Sequence, residues 1–168
     1  MTPSTTDKIY LVGFMGSGKT TVARALGRRL GWRVIDLDEE IERREGRTIS
    51  QVFAEHGETY FRKVEREVLL AFLPARHAIV ATGGGTFIQA ANRADILADG
   101  VTVWLDAAFH HIVDRVPSDG RRPLAADREA FAALFEERRA VYRLAHMRLD
   151  AQGRVEALVE RLLHKLGW

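Results

Sequence analysis

The sequence predicts an α/β fold, a parallel five-stranded sheet flanked by helices, on three observations. Short β-branched or apolar runs alternate with long amphipathic stretches, the pattern of strands joined by helical crossovers. Most of those runs end close to glycine or aspartate, where a buried strand gives way to a loop at the sheet edge. The length, 168 residues, suits one sizeable core rather than two. With no internal repeat or low-complexity linker to divide it, a single domain over 1–168 is expected.

The predicted strands are Ile9–Val12, Val34–Asp36, Ala78–Ala81 and Val101–Leu105, with a weaker fifth at Met147–Leu149. Between them lie helical patterns at Thr20–Leu30, Thr59–Phe72 and Arg128–Ala145, and a terminal helix at about Arg154–Leu166 closes the chain. In Thr59–Phe72, Phe61, Val64, Val68 and Leu69 supply the apolar stripe. Two stretches depart from simple alternation. Thr48–Phe72 reads as extra helix inserted between the second and third strands, within a substrate-binding segment of about 37–72. From Pro117 to Pro123 a glycine and two prolines exclude both helix and strand while exposing Arg121 and Arg122, as in a mobile lid over about 116–126.

Composition narrows the function classes. A net charge of +2 from 25 basic and 23 acidic residues gives no broad surface for nucleic acid. The absence of cysteine removes disulfides, thiolate metal sites and cysteine nucleophiles. The first apolar run, Ile9–Val12, is too short for a signal peptide or membrane span, so a cytoplasmic chain without membrane attachment is expected. The six histidines show no ligand spacing, and His110 and His111 occupy consecutive helical positions that should point apart.

Gly13-Phe14-Met15-Gly16-Ser17-Gly18-Lys19-Thr20 fits G-x-x-x-x-G-K-S/T directly after a strand and before a helix. Such a loop turns successive N–H groups toward phosphate oxygens at a helix N-terminus. Gly16, Ser17, Gly18, Lys19, Thr20 and Thr21 are therefore candidate nucleotide ligands. Lys19 would reach the β- and γ-phosphates, and Thr20 offers a hydroxyl to Mg²⁺. The guanine-reading N-K-x-D is absent, as is an apolar strand running into Asp-Glu, so GTPase-switch and motor readings lose ground. Instead Asp36-Leu37-Asp38 follows the second strand, where alternation would set both carboxylates on one face, although helix capping alone could explain them. Gly83-Gly84-Gly85 follows the third strand and suggests close approach of a ligand to the backbone, with a plain turn as the alternative.

In these motifs, together with Phe61-Arg62-Lys63-Val64-Glu65, Arg122-Pro123-Leu124 and Arg138 four residues before Tyr142, the chain resembles the shikimate kinase family over nearly its whole length. The resemblance implies a P-loop kinase fold, ATP and Mg²⁺ as cofactors, and shikimate as a small-molecule substrate. It implies Asp38 at the acceptor hydroxyls as candidate base, Asp36 supporting Mg²⁺ through water, and Arg62 and Arg138 clamping the substrate carboxylate. Gly83, Gly84 and Gly85 would contact substrate, Arg122 would close over the phosphates as a catalytic lid residue, and Arg115 and Arg154 would lie near adenine. Glu65 would fix Arg62 from one helical turn away or serve as a surface ion pair, and Phe53 and Phe61 would form a pocket wall or core. A monomer is expected. Competing readings are another small-metabolite kinase, such as a gluconate kinase, and a catalytically idle nucleotide-binding regulator.

Overall fold

The computed structural model describes residues 6–115 and 127–168. The expected lid, with Arg121 and Arg122, lies outside the described residues. In chain order the elements are β1 (Lys8–Val12), α1 (Lys19–Leu30), β2 (Arg33–Asp36), α2 (Leu37–Glu45), α3 (Ile49–Phe72), β3 (Ala78–Ala81), α4 (Ala90–Asp99), β4 (Val101–Asp106), α5 (Phe109–Arg115), α6 (Arg128–Tyr142), β5 (Met147–Asp150) and α7 (Val155–Leu166). The strands form one parallel sheet in the order β2-β3-β1-β4-β5.

Alternation along the strands divides the core in two. Tyr10, Val12, Val80 and Trp104 face the layer of α2 to α6, where Ile41, Val64, Leu69, Ile96, Phe131 and Phe135 pack. Ile9, Leu11, Ile79, Val103 and Leu105 face α1 and α7, meeting Val22, Leu26, Leu158 and Leu162. Central strands buried on both faces read as continuous apolar runs, which is why they were legible in the sequence.

The inserted helix runs Ile49–Phe72, as the extra helix expected over Thr48–Phe72, and extends ten residues ahead of the amphipathic pattern at Thr59 because Thr48 and Gln51 form a reciprocal capping box. Gly57 then breaks its regularity at φ 81°, ψ 177°, so the pattern resumes in a new phase at Thr59. Helix α6 ends at Tyr142 rather than Ala145, and the intervening residues turn the chain into β5.

The end of the sheet away from the phosphate loop is closed by a wholly buried Lys8. Its ammonium donates to the Phe72 and Leu73 carbonyls at 2.7 and 3.0 Å and pairs with Asp99 at 2.7 Å. The Tyr10 hydroxyl donates to the same carboxylate at 2.5 Å. Burial lowers the Lys8 pKa, and the bonds from Asp99 oppose that shift. His110 and His111 do not point apart: their ring centroids lie 4.1 Å from each other, the planes tilted by 42°. Among the described residues no three His, Asp or Glu side chains come together as a metal-binding group.

Candidate active site

Strand β1 delivers the chain into the phosphate loop at the carboxyl edge of the sheet, between β3 and β4, where open α/β sheets hold ligands. Gly18 ends the loop at φ 95° as the N-cap of α1, a conformation only glycine adopts without strain, and its carbonyl accepts from the Val22 N–H at 3.0 Å. The first turn of α1 carries no acidic residue, so its dipole end is left positive. Lys19 is 8% exposed and donates to the Gly13 and Phe14 carbonyls at 2.7 and 2.9 Å. It both stitches the loop and lines the cleft. Ser17 is buried, and its hydroxyl has no partner among the described residues. Arg115, at the end of α5, reaches back to the loop, with its guanidinium 3.4 Å from the Gly16 carbonyl.

A cleft of about 190 Å³ runs from Gly16, Gly18, Lys19, Thr20 and Thr21 to Asp36, Asp38 and Gly84. The two aspartates do not share a strand face, because α2 begins at Leu37 without an intervening loop. Asp36 is the helix N-cap, accepting from the Glu39 N–H at 3.1 Å, while its other oxygen accepts from the Thr20 hydroxyl at 2.5 Å. Capping and the link to the phosphate loop thus fall to opposite oxygens of one carboxylate. Asp38 sits in the first turn of α2 and lines the same cleft.

The three glycines after β3 serve a purpose that sequence alone left open. None has positive φ; what they provide is space. A Cβ at Gly83 would lie 2.7 Å from the Asp38 carboxylate, one at Gly84 3.3 Å from the Arg138 guanidinium, and one at Gly85 2.5 Å from the Arg62 guanidinium. Each glycine is the bed of one expected acceptor-binding side chain. Their three N–H groups donate to no protein acceptor among the described residues.

The two arginines come from different helices. Arg62 on α3 lies over the Phe61 ring at 5.1 Å and donates to Glu65 at 3.0 Å. Glu65 is 1% exposed rather than a surface partner, and it also accepts from the Thr86 hydroxyl at 2.9 Å. Phe61 is core, and the half-buried Phe53 packs against it with ring centroids 4.7 Å apart, so the pair takes the core role. Arg138 on α6 is 7% exposed, with Phe14 beneath it at 5.9 Å and no carboxylate in salt-bridge reach among the described residues. Burial lowers its pKa, Tyr142 opposes the shift and Arg62 adds to it; a guanidinium nonetheless stays protonated. Tyr142, one turn later, donates to the Gly84 carbonyl at 2.5 Å.

A family model described as shikimate kinase matches residues 15–167. The chain belongs to the shikimate kinase family. It is 40% identical over 147 residues to a shikimate kinase of Persephonella marina, covering 87% of this chain and 90% of that one. It is 41% identical over 160 residues to one of a Sulfurihydrogenibium species, covering 94% and 96%. Among solved structures it is similar to the shikimate kinase of Acinetobacter baumannii in complex with shikimate, at 36% identity and TM-score 0.92, covering 96% of this chain and 93% of that one. As a member of this family the chain is an ATP-dependent kinase.

Of the residues expected from the sequence, the structure gathers the phosphate loop, Asp36, Asp38, Arg62, the glycines and Arg138 at one sheet edge, with Arg115 beside the loop. Arg154 is not drawn in: it is the exposed N-cap of α7, and its side chain makes no capping bond. The loop before it is held instead by Arg161, which donates to the Asp150 and Gln152 carbonyls at 2.7 and 2.9 Å. Thr86 and the link from Tyr142 to Gly84 carry no sequence signal of their own, since each depends on contacts 21 and 58 residues apart. Arg24, Arg43 and Arg44 pair with Glu39, Glu40 and Glu67 on solvated helix faces.

Proposed function

We propose that this protein transfers the γ-phosphate of ATP to the 3-hydroxyl of shikimate, giving shikimate 3-phosphate and ADP for aromatic amino acid synthesis. It does so as a single-domain, cytoplasmic monomer acting on small molecules alone. The observation that carries the reading is the pair of guanidiniums, Arg62 and Arg138, set against a three-glycine loop that is far from the phosphate loop in sequence and adjacent to its cleft in space. Arg138 is buried without a carboxylate partner among the described residues, so an acceptor carboxylate would stabilise it in place of water. A neutral polyol would leave that charge uncompensated; gluconate, itself a carboxylate, is separated from shikimate by the assay below.

In this reading the phosphate-loop N–H groups and Lys19 hold the β- and γ-phosphates, and Lys19 exchanges its bonds with the Gly13 and Phe14 carbonyls for phosphate oxygens. Asp38 accepts the acceptor hydroxyl's proton, or orients that hydroxyl in line with the γ-phosphorus. Gly83, Gly84 and Gly85 offer N–H donors to the acceptor from the opposite wall. Arg122 screens charge on the transferring group, Arg115 lies over the nucleotide, and Arg154, exposed at the start of α7, would meet adenine only once the nucleotide is bound. The Thr20 hydroxyl and the Asp36 carboxylate, 2.5 Å apart, are hard oxygen donors that suit Mg²⁺, directly and through water. When bound, that ion would neutralise phosphate charge. A coupled ADP-release assay with shikimate, gluconate and water as acceptors tests the reading: turnover is expected with shikimate alone, and equal rates with gluconate would refute the assignment.

A further inference from the structure

Tyr142 is fully buried at the end of α6, and its hydroxyl spans 58 residues of sequence to donate to the Gly84 carbonyl at 2.5 Å. Arg138 lies one helical turn earlier, and its guanidinium stands 3.3 Å from where a Cβ on Gly84 would be. The phenol therefore holds the backbone over which Arg138 lies, and the two together form one wall of the acceptor site. The described residues contain no cis peptide bond, so the carbonyl of Gly84 and the N–H of Gly85 point in opposite directions across one rigid plane. Tying that carbonyl to α6 turns the Gly85 N–H away from α6 and fixes the plane beneath Arg62. Without the tie, a run of three glycines has more backbone freedom than any other tripeptide, and the peptide could rotate. Burial also raises the Tyr142 pKa, so the hydroxyl keeps its proton to donate throughout the working pH range.

We propose that Tyr142 is a positioning residue for the acceptor: it locks the orientation of the Gly84–Gly85 peptide and the direction of Arg138, and thereby sets acceptor affinity without taking part in phosphoryl transfer. The proposal rests on the reading of the glycine loop and Arg138 as the acceptor grip. Among the described residues the phenol hydroxyl donates to the Gly84 carbonyl and to no nucleotide-binding residue, so its loss is expected to act on acceptor binding.

The test compares Tyr142→Phe with the parent in the ADP-release assay, with Arg138→Ala as the control for the grip itself. Phenylalanine fills the same volume and removes only the oxygen. The expected result is a KM for shikimate raised about tenfold, the loss of one hydrogen bond's worth of ordering, with kcat and the KM for ATP within about twofold of the parent. Placing 4-aminophenylalanine at position 142 restores a donor at the same reach, and should bring the shikimate KM most of the way back. An unchanged shikimate KM in Tyr142→Phe, while Arg138→Ala raises it, overturns the proposal and leaves the grip standing. No effect from Arg138→Ala overturns the grip. A parallel fall in kcat and in ATP affinity, no recovery with 4-aminophenylalanine, or a Tyr142→Phe chain that does not fold would show Tyr142 to be a general structural residue and overturn the proposal.

Discussion

Replacing Gly85 with alanine separates what the glycine loop does for the fold from what it does for the acceptor. The added methyl would lie 2.5 Å from both terminal nitrogens of Arg62 and 2.7 Å from its central carbon. Ordinary contact begins near 3.4 Å, so the guanidinium must withdraw by about 1 Å. The obstructed group is the far end of a flexible side chain, and Gly85 does not have positive φ, so the fold can yield at little cost. The acceptor cannot: a charge-assisted hydrogen bond of about 1.5–3 kcal/mol is lost or misdirected, which corresponds to roughly ten- to hundredfold in acceptor affinity. Gly85→Ala is therefore expected to keep its melting temperature within about 3 °C of the parent and its KM for ATP unchanged, while the KM for shikimate rises at least about tenfold. In the Arg62→Ala background the same substitution should cost little more, because nothing remains to be displaced. Additive losses in the double variant, or a shikimate KM unaltered in Gly85→Ala, would refute the account of the glycines as beds for the acceptor grip. Gly13→Ala supplies the contrast: its methyl would strike the Leu105 carbonyl oxygen at 2.7 Å from a φ of +152°, so loss of folding is expected there.

Lys19→Ala should lower kcat by at least about a hundredfold with every acceptor; because it also abandons the Gly13 and Phe14 carbonyls, thermal unfolding should show a loss of about 1–3 kcal/mol. Arg138→Lys keeps the charge and loses the planar fork, so shikimate affinity measured by titration should fall about tenfold with ATP affinity unchanged; equal binding of the acid and its neutral amide by the parent would refute the carboxylate role. His146 accepts the Thr102 N–H through Nδ1 at 3.0 Å, beside the start of β5, and burial lowers its pKa. The unfolded chain takes up its proton first, near pH 6.5, so this contribution is complete above that pH and declines as the pH falls toward the lower folded value. Urea midpoints at pH 7.5 and 5.5 should accordingly converge in His146→Phe relative to the parent.

Strand positions, the phosphate loop and the order of the site residues were all determined by the sequence, because each is a local matter: a buried parallel strand must be a short apolar run, and an N–H cradle needs glycines at fixed spacing ahead of a helix. Family resemblance then assigned roles to Asp38, Arg62 and Arg138 before any of them had neighbours. Only the tertiary structure decided what those residues rest upon. That Gly83, Gly84 and Gly85 each bed a different side chain, that Glu65 is buried between Arg62 and Thr86, and that Tyr142 holds the Gly84 carbonyl follow from packing α2, α3 and α6 against one loop. The same holds for Lys8, which the sequence left outside the first strand and which is instead wholly buried among Asp99 and two carbonyls from the end of α3. Such contacts leave no period or spacing in the chain, because the free energy of a buried polar group is set by partners dozens of residues away that only the closed fold brings within 3 Å.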